Sequence, residues 1–359
     1  MNIILIGPFP PPMTGVSIAN KTVCEYLPDA GNYSIKIIDT NISQLKEDIG
    51  RFSLKKVFYF SKQYLLLYKI LMADKVYMTI GQTFWGVMKY LPFFVMSKVF
   101  RREIITHIHG NYVWQEYNEL KGLKRKIYHK ILSLTDKGIV LSYSLKKNFY
   151  PFISENKIFV LENFVEDILF SSNILDKEFK ELRIIYLSNL MEEKGIIDLL
   201  DALMLLKKRG IPFKAKIAGG IDIVLKEKID FYLNKLIDDV KYLNVVSGKN
   251  KKEMLEWGNI FVFPTYYSME GQPISIFEAM ATGNIILTTK HAGIPDVFVE
   301  NINGFFIKKR SPESIADKLL KLNEGLHNFK HISEHNIKEA KRKYRVRTFI
   351  DKLNKIIVV

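Results

Sequence analysis

Short apolar runs alternate with helix-patterned stretches along the whole of this chain. A strand covered on both faces reads as such a run, and parallel neighbours need a crossover between them, usually a helix. The alternation therefore predicts an α/β protein built on parallel sheets. Strands are expected at residues 2–7, 33–39, 75–79, 103–107, 138–141 and 158–161. Helices are expected between them at 14–27, 54–72, 84–100, 112–134 and 145–149. A polar stretch without apolar periodicity, 166–181, interrupts the pattern. It restarts with strands at 183–187, 214–218, 240–246, 260–263, 285–287 and 305–307, and helices at 196–208, 223–236, 251–257, 274–281 and 314–322. The expected architecture is two doubly wound, Rossmann-like domains facing across a cleft. The first covers 1–165 and the second 166–335, and a basic helical tail, 336–359, packs back on the first.

Within that frame, one stretch concentrates the chemistry: Ser268-Met-Glu270-Gly-Gln-Pro-Ile-Ser-Ile-Phe-Glu278-Ala-Met-Ala-Thr-Gly283. It follows the apolar run Ile260–Phe263, and Pro273 opens a helix after it. Glu270 then lies in the loop at a strand's carboxyl end, where open α/β sheets bind ligands. Glu278 lies about a turn and a half into the helix, among Ile276, Phe277, Ala279 and Met280, so it is expected to be half buried and to need a partner. The free N–H groups of the helix's first turn favour an anion. Two carboxylates beside a helix start suit a ligand carrying both hydroxyls and phosphates.

Other loops at strand ends add candidates. Lys194, just before Gly195 and a helix, can hold a phosphate as a point charge. Thr14-Gly15 closes the proline-rich loop Pro8–Met13 and allows close backbone approach at Gly15. That loop is not a G-x-G-x-x-G fingerprint, so a dinucleotide dehydrogenase lacks its main support. His109 follows the strand ending near His107 and is the one expected to face the ligand, while His107 is expected to be buried. Gly219, after Ala218, and the loop His291-Ala-Gly293-Ile-Pro-Asp296 complete the set.

The chain's 359 residues suffice for two cores. The single cysteine, Cys24, excludes an intramolecular disulfide and fits a reducing cytoplasm. No Cys/His cluster has zinc spacing, and Met1 to Ile6 runs into an apolar strand without a charged leader, so no signal peptide is expected. The formal net charge is +15, and residues 1–165 hold 22 Lys and Arg against 12 Asp and Glu. The basic residues include Lys55, Lys56, Lys62, Lys69, Arg101 and Arg102, interleaved with Phe58, Tyr59, Phe60, Tyr64 and Phe93. This reads either as a solvated basic face or as a surface for anionic lipid with aromatic anchors. No nucleic-acid recognition module accompanies the charge.

Taken in order, Thr14-Gly15, Lys194-Gly195, Gly219, Glu270-Gly-Gln-Pro…Glu278-Ala-Met-Ala-Thr-Gly283, Gly293-Ile-Pro-Asp296 and Asn303-Gly304-Phe resemble the retaining glycosyltransferases of family four, which have the GT-B fold. The resemblance covers essentially the whole chain. It implies a nucleotide-sugar donor, a UDP-sugar in the first instance, with neither metal nor cofactor. Glu278 would bind the ribose hydroxyls, while Glu270 and the backbone of Gly271, Gln272 and Pro273 would contact the sugar. Lys194 would hold the diphosphate with help from Gly15, while Asn189 and Gly219 would belong to the donor site and His109 would lie beside the transferred sugar. The family usually has Gly-Arg where this chain has Ser188-Asn189, so phosphate binding leans on Lys194 or on a basic residue elsewhere. The acceptor implied is a growing surface polysaccharide, lipopolysaccharide or lipid-linked glycan, handled in the cytoplasm or peripherally at the inner face of the membrane. The alternatives are a soluble small-molecule or protein acceptor, or a non-catalytic nucleotide-sugar-binding protein.

Overall fold

A computed structural model describes residues 1–41, 60–170 and 177–359. The chain divides into two compact units. One comprises Met1–Asn163, Met269–Gln272 and Val346–Val359; the other comprises Phe164–Ser268 and Pro273–Arg345.

The first unit is built on a six-stranded sheet of β1 (Asn2–Gly7), β2 (Ser34–Asp39), β3 (Lys75–Thr79), β4 (Glu103–Ile108), β5 (Lys137–Val140) and β6 (Ile158–Val160), in the order β2-β1-β3-β4-β5-β6. Every pairing is parallel. Its helices are α1 (Gly15–Gly31), α2 (Phe84–Met88), α3 (Leu91–Val99), α4 (Val113–Glu119), α5 (Gly122–Leu132) and, at the end of the chain, α12 (Val346–Val358). The helix expected at 84–100 is divided, because Pro92 lacks an N–H and fits only a first turn. That expected at 112–134 divides where Gly122 takes φ 56°. Of the expected helix at 54–72, residues 54–59 lie outside the described residues, and Leu65–Met72 forms a 3₁₀ helix.

The second unit carries β7 (Leu182–Leu187), β8 (Phe213–Ala218), β9 (Val240–Tyr242), β10 (Ile260–Phe263), β11 (Ile285–Thr289) and β12 (Gly304–Ile307), in the order β12-β11-β10-β7-β8-β9. These pairings are parallel too. The helices are α6 (Ile196–Lys208), α7 (Lys226–Lys235), α8 (Gly248–Trp257), α9 (Ile274–Ala281), α10 (Pro312–Asn323) and α11 (Lys330–Lys343). β9 stops short of the expected residue 246 because Asn244 turns left-handed, φ 58°, and gives its carbonyl to the Gly219 N–H. The inner strands β10 and β11 are buried at every position, β10 as an unbroken apolar run and β11 with Thr288 and Thr289 donating their hydroxyls to the Phe263 and Thr265 carbonyls.

The docking of α12 is electrostatic as well as apolar. Its buried stripe is Val346, Phe349, Ile350, Leu353, Ile356 and Ile357. At its end, Lys75 donates to the Ile357 carbonyl at 2.5 Å, and Lys137 to those of Ile356 and Ile357 at 3.1 and 3.4 Å. Cations belong at a helix carboxyl end. Glu103 lies between the two lysines and pairs with both. Burial alone would raise its carboxyl, but hydrogen bonds from Lys137 and Lys75 overrule this and hold it below the ordinary carboxylate value. Glu103→Gln should therefore loosen α12, costing about 1–3 kcal/mol given the partial exposure of the carboxylate. Hydrogen exchange across 346–358 should quicken, with less change in β1. In the unsubstituted protein the same loosening should set in as pH falls below the ordinary carboxylate range towards the lowered folded value, and not on raising pH.

Candidate functional site: the loops at the strand ends of each sheet

In the second unit, chain connections leave β7 and β10 in opposite directions, so the loops after these neighbouring strands part and open a crevice. The loop after β7 runs from Ser188 to Gly195. Tyr186, wholly buried on β7, donates its hydroxyl to the carbonyls of Asn189 (3.2 Å) and Lys194 (3.3 Å), which pins both ends of the turn. Gly195 sits at φ 79°, and a Cβ there would lie 2.5 Å from the Pro264 ring and carbonyl oxygen. The N–H of Tyr266 donates to the Glu193 carbonyl at 2.8 Å, so the loop after β10 is bound to the loop after β7. Lys194 extends over Tyr267, its Nζ 4.6 Å from the ring centroid, with Phe263 at 5.7 Å. The negative face of an aromatic ring attracts an ammonium, which holds the group at the crevice. Asn189 is exposed on the same loop. Gly219 stands behind it, where a Cβ would lie 1.7 Å from the Ser188 carbonyl oxygen; its service to the loop is close packing.

Pro273 caps α9, and Glu278 lies on that helix with only 4% of its surface exposed, more deeply buried than expected from sequence. Its Oε1 accepts a hydrogen bond from Lys251 Nζ at 2.6 Å. Lys251, on α8, also donates to Glu166 Oε2 at 2.5 Å. Burial works against its charge, but the two carboxylates overrule it and raise the Lys251 pKa. Sequence reasoning missed Lys251. The available signal was its place on the buried face of α8, three and four positions before Met254 and Leu255.

Glu270 belongs to the loop Met269–Gln272, which is part of the first unit. There Gln82 donates to the Met269 carbonyl at 3.2 Å and accepts from the Tyr112 N–H at 2.7 Å. Asn163 closes the other end, its N–H donating to Gln272 Oε1 (2.8 Å) and its side chain to the Gln272 carbonyl (2.7 Å). The Gln272 carbonyl, part of the backbone expected to contact a sugar, thus accepts from Asn163. A Cβ on Gly271 would lie 2.3 Å from the His109 carbonyl oxygen, so glycine lets the Glu270 loop lie directly on the loop after β4. Glu270 itself is 7% exposed. The Glu270 loop and the backbone at His109 thus lie against one another, and Gln82 and Asn163 hold the two ends of that loop.

His107, as expected, is fully buried, and its Nδ1 is 2.6 Å from the Tyr77 hydroxyl. The His107 and His109 rings lie against one another, tilted by 37° with centroids 3.9 Å apart. Burial pushes both imidazoles well below their ordinary value, and His109 lowers His107 further, so both are neutral at pH 7. His109 can therefore act as a neutral hydrogen-bonding group. Gly15 opens α1 at the corresponding divergence of the first sheet, between β1 and β3. Thr14 accepts from the Ser17 N–H at 3.1 Å, while Ser17 Oγ accepts from the Thr14 N–H at 2.8 Å, a reciprocal cap with serine where glutamate is more usual.

Residues 167–344 match the sequence profile of the glycosyl transferases group 1. The chain is 30% identical over 173 residues to the amylovoran biosynthesis glycosyltransferase AmsK of Erwinia amylovora, a match covering 47% of this chain and 42% of AmsK. It is 28% identical over 169 residues to the putative colanic acid biosynthesis glycosyltransferase WcaL of Escherichia coli, covering 45% and 41%. The matched part thus spans about two fifths of the length of these relatives. The crystal structure of Anabaena HepE in complex with UDP aligns over 100% of both chains with a TM-score of 0.76 and 14% identity, which bears on the fold. Residues 167–344 are thus similar in sequence to the glycosyl transferases group 1, in a chain whose two parallel sheets have the GT-B fold.

Proposed function

We propose that this chain is a retaining, metal-independent glycosyltransferase that moves a sugar from a nucleotide donor, a UDP-sugar first of all, to a growing surface polysaccharide or lipid-linked glycan. The observation that carries the proposal is that the loops after β7 and β10, neighbours at the divergence, carry the Lys194 ammonium against Tyr267 and lead into α9, with its buried carboxylate Glu278. In this reading Glu278 takes the ribose hydroxyls. Lys194 and the N–H groups opening α9 oppose the charge that develops on the leaving diphosphate, the role a metal fills elsewhere. Glu270 accepts from sugar hydroxyls, and His109, being neutral, shares a hydrogen bond without adding charge beside the anomeric carbon. AmsK and WcaL, named for amylovoran and colanic acid biosynthesis, support the choice of a polysaccharide acceptor, and the UDP in the HepE structure supports the donor base.

The direct test is a thermal-shift and turnover screen against UDP-, GDP- and ADP-sugars. A UDP-sugar should stabilise the protein, and Glu278→Ala should weaken that binding by roughly 1.5–3 kcal/mol through loss of a charged hydrogen bond. Because Lys251 keeps Glu166 as a partner, this variant should stay folded. Unchanged titrations of UDP and GDP would remove Glu278 from the site.

Turnover should fall further for Lys194→Ala than for Glu192→Ala or Glu193→Ala, whose side chains are exposed on the same turn. Equal effects at all three would make the loop merely structural. EDTA should leave turnover intact, and a strict metal requirement would overturn the metal-independent chemistry.

A second reading, peripheral attachment to an anionic membrane, is favoured by one surface of the first unit. The expected anchors Phe60 and Phe93 are buried in the core, and Phe58, Tyr59, Lys55 and Lys56 lie outside the described residues. Apolar side chains are nonetheless exposed nearby: Leu65 (76%), Tyr68 (55%), Leu71 and Met72 on the 3₁₀ helix, and Val99 (64%) on α3. Arg102 ties these elements by donating to the Leu71 carbonyl, and Lys62 and Arg101 are exposed beside them. Each basic residue near an anionic bilayer contributes about 1 kcal/mol, screened by salt. The protein should sediment with phosphatidylglycerol vesicles at low salt, and less so as salt is added or with Leu65→Ser/Tyr68→Ser. A protein that stays in the supernatant at low salt does not use this surface for membranes.

A further inference from the structure

Lys251 has no part in the scheme above, yet it is 6% exposed and lies between two carboxylates. For packing alone, an apolar side chain would serve better at that position. α8 buries Met254 and Leu255 on the same face, and a buried ion pair is often no more stabilising than apolar residues of its size. What an apolar residue could not do is keep Glu278 in one ionisation state and one orientation. Glu278 has Phe277 on its helix packed against Tyr344, with ring centroids 4.4 Å apart, and it lies among the buried residues Ile276, Ala279 and Met280. A carboxylate so enclosed, without a cation, holds its proton to higher pH. A protonated carboxyl is a poor acceptor for a hydroxyl pair.

Resting on the reading of Glu278 as the nucleotide contact, we propose that Lys251 is a positioning residue for the ribose: its ammonium holds Oε1 of Glu278 and thereby presents Oε2 to a sugar hydroxyl. Glu166 fixes the ammonium from the other side, at 2.5 Å against 2.6 Å for Glu278. Glu166 is the more exposed partner, its side chain 39% accessible against 6% for Glu278, so it can exchange the ion pair for water while Glu278 cannot. The charged groups recorded around the Glu278 carboxylate are Lys251 from α8 and, through it, Glu166 ahead of β7. Removing Lys251 therefore leaves two carboxylates facing one another with no cation between them.

The test compares Lys251→Met, Lys251→Arg and Glu166→Gln by thermal unfolding between pH 6 and pH 8.5, and by titration with UDP-glucose and GDP-mannose over the same range. In these sugar nucleotides both phosphates are diesters and do not titrate there. In Lys251→Met the folded Glu278 holds its proton above the pH at which the unfolded chain releases it. Its stability deficit against the unsubstituted protein should then shrink as pH falls, because the folded state binds more protons. Its binding should weaken on the same descent, by roughly tenfold per pH unit below the new pKa. Lys251→Arg should follow the unsubstituted protein, and Glu166→Gln should bind as it does, since Lys251 remains on Glu278. Should Lys251→Met fail to fold, Lys251→Gln, which leaves a neutral hydrogen-bonding group, is read by the same criteria. A deficit equal at every pH, or binding lost equally in Glu166→Gln, overturns the proposal. A deficit that shrinks as expected, in a protein that binds neither sugar nucleotide, overturns the ribose reading and with it the positioning role.

Discussion

The constraint behind both units is the parallel strand. A parallel neighbour can be reached only by a crossover over one face of the sheet, so the direction of successive crossovers decides where loops crowd and where they part. Between β7 and β10, and between β1 and β3, the crossovers diverge, and at each place the chain has put glycines and helix starts. In the second unit this opening has a fixed wall. Gly195 permits contact with Pro264 that no side chain could tolerate, and the Tyr266 N–H ties the second loop to the first. The lysine that extends over Tyr267 is therefore placed by backbone geometry before its own side chain does anything.

The patterning of the sequence revealed what depends on local order. Strands buried on both faces are unbroken apolar runs, and every strand expected is present within a few residues. Glu278 was legible as a carboxylate in need of a partner because its sequence neighbours are apolar. The partner was not legible, since Lys251 lies 27 positions away and only the packing of α8 beside α9 brings them together. Gln82 and Asn163 escaped for the same reason, at 187 and 109 positions from the loop they hold. Phe60 and Phe93 looked like interfacial anchors because alternation with lysine is what both an amphipathic surface and a half-buried helix produce, and burial chose the core. The length of β9 also turned on a distant contact, the carbonyl that Asn244 gives to Gly219.

Charge is managed differently at each functional position. His107 and His109 are kept neutral by burial, and the Tyr77 hydroxyl bonds to the first of them. Glu278 is paired with a cation buried beside it, and Lys194 lies partly exposed against two rings. With Asn189 uncharged, the loop after β7 carries one formal cation at its end, and Glu192 and Glu193 precede it. Favourable anion binding here then depends on the N–H groups that open α9, whose partial charge survives any side-chain substitution.

Glu270 and Glu278 read as one motif in sequence, eight positions apart, yet they are fixed by different sets of neighbours. Gln82, Asn163 and the backbone at His109 settle the position of the Glu270 loop, all from the first unit. Lys251 and Glu166 settle Glu278, both from the second. The chain between the two carboxylates is short and includes Pro273, whose ring limits the backbone to one φ at the start of α9.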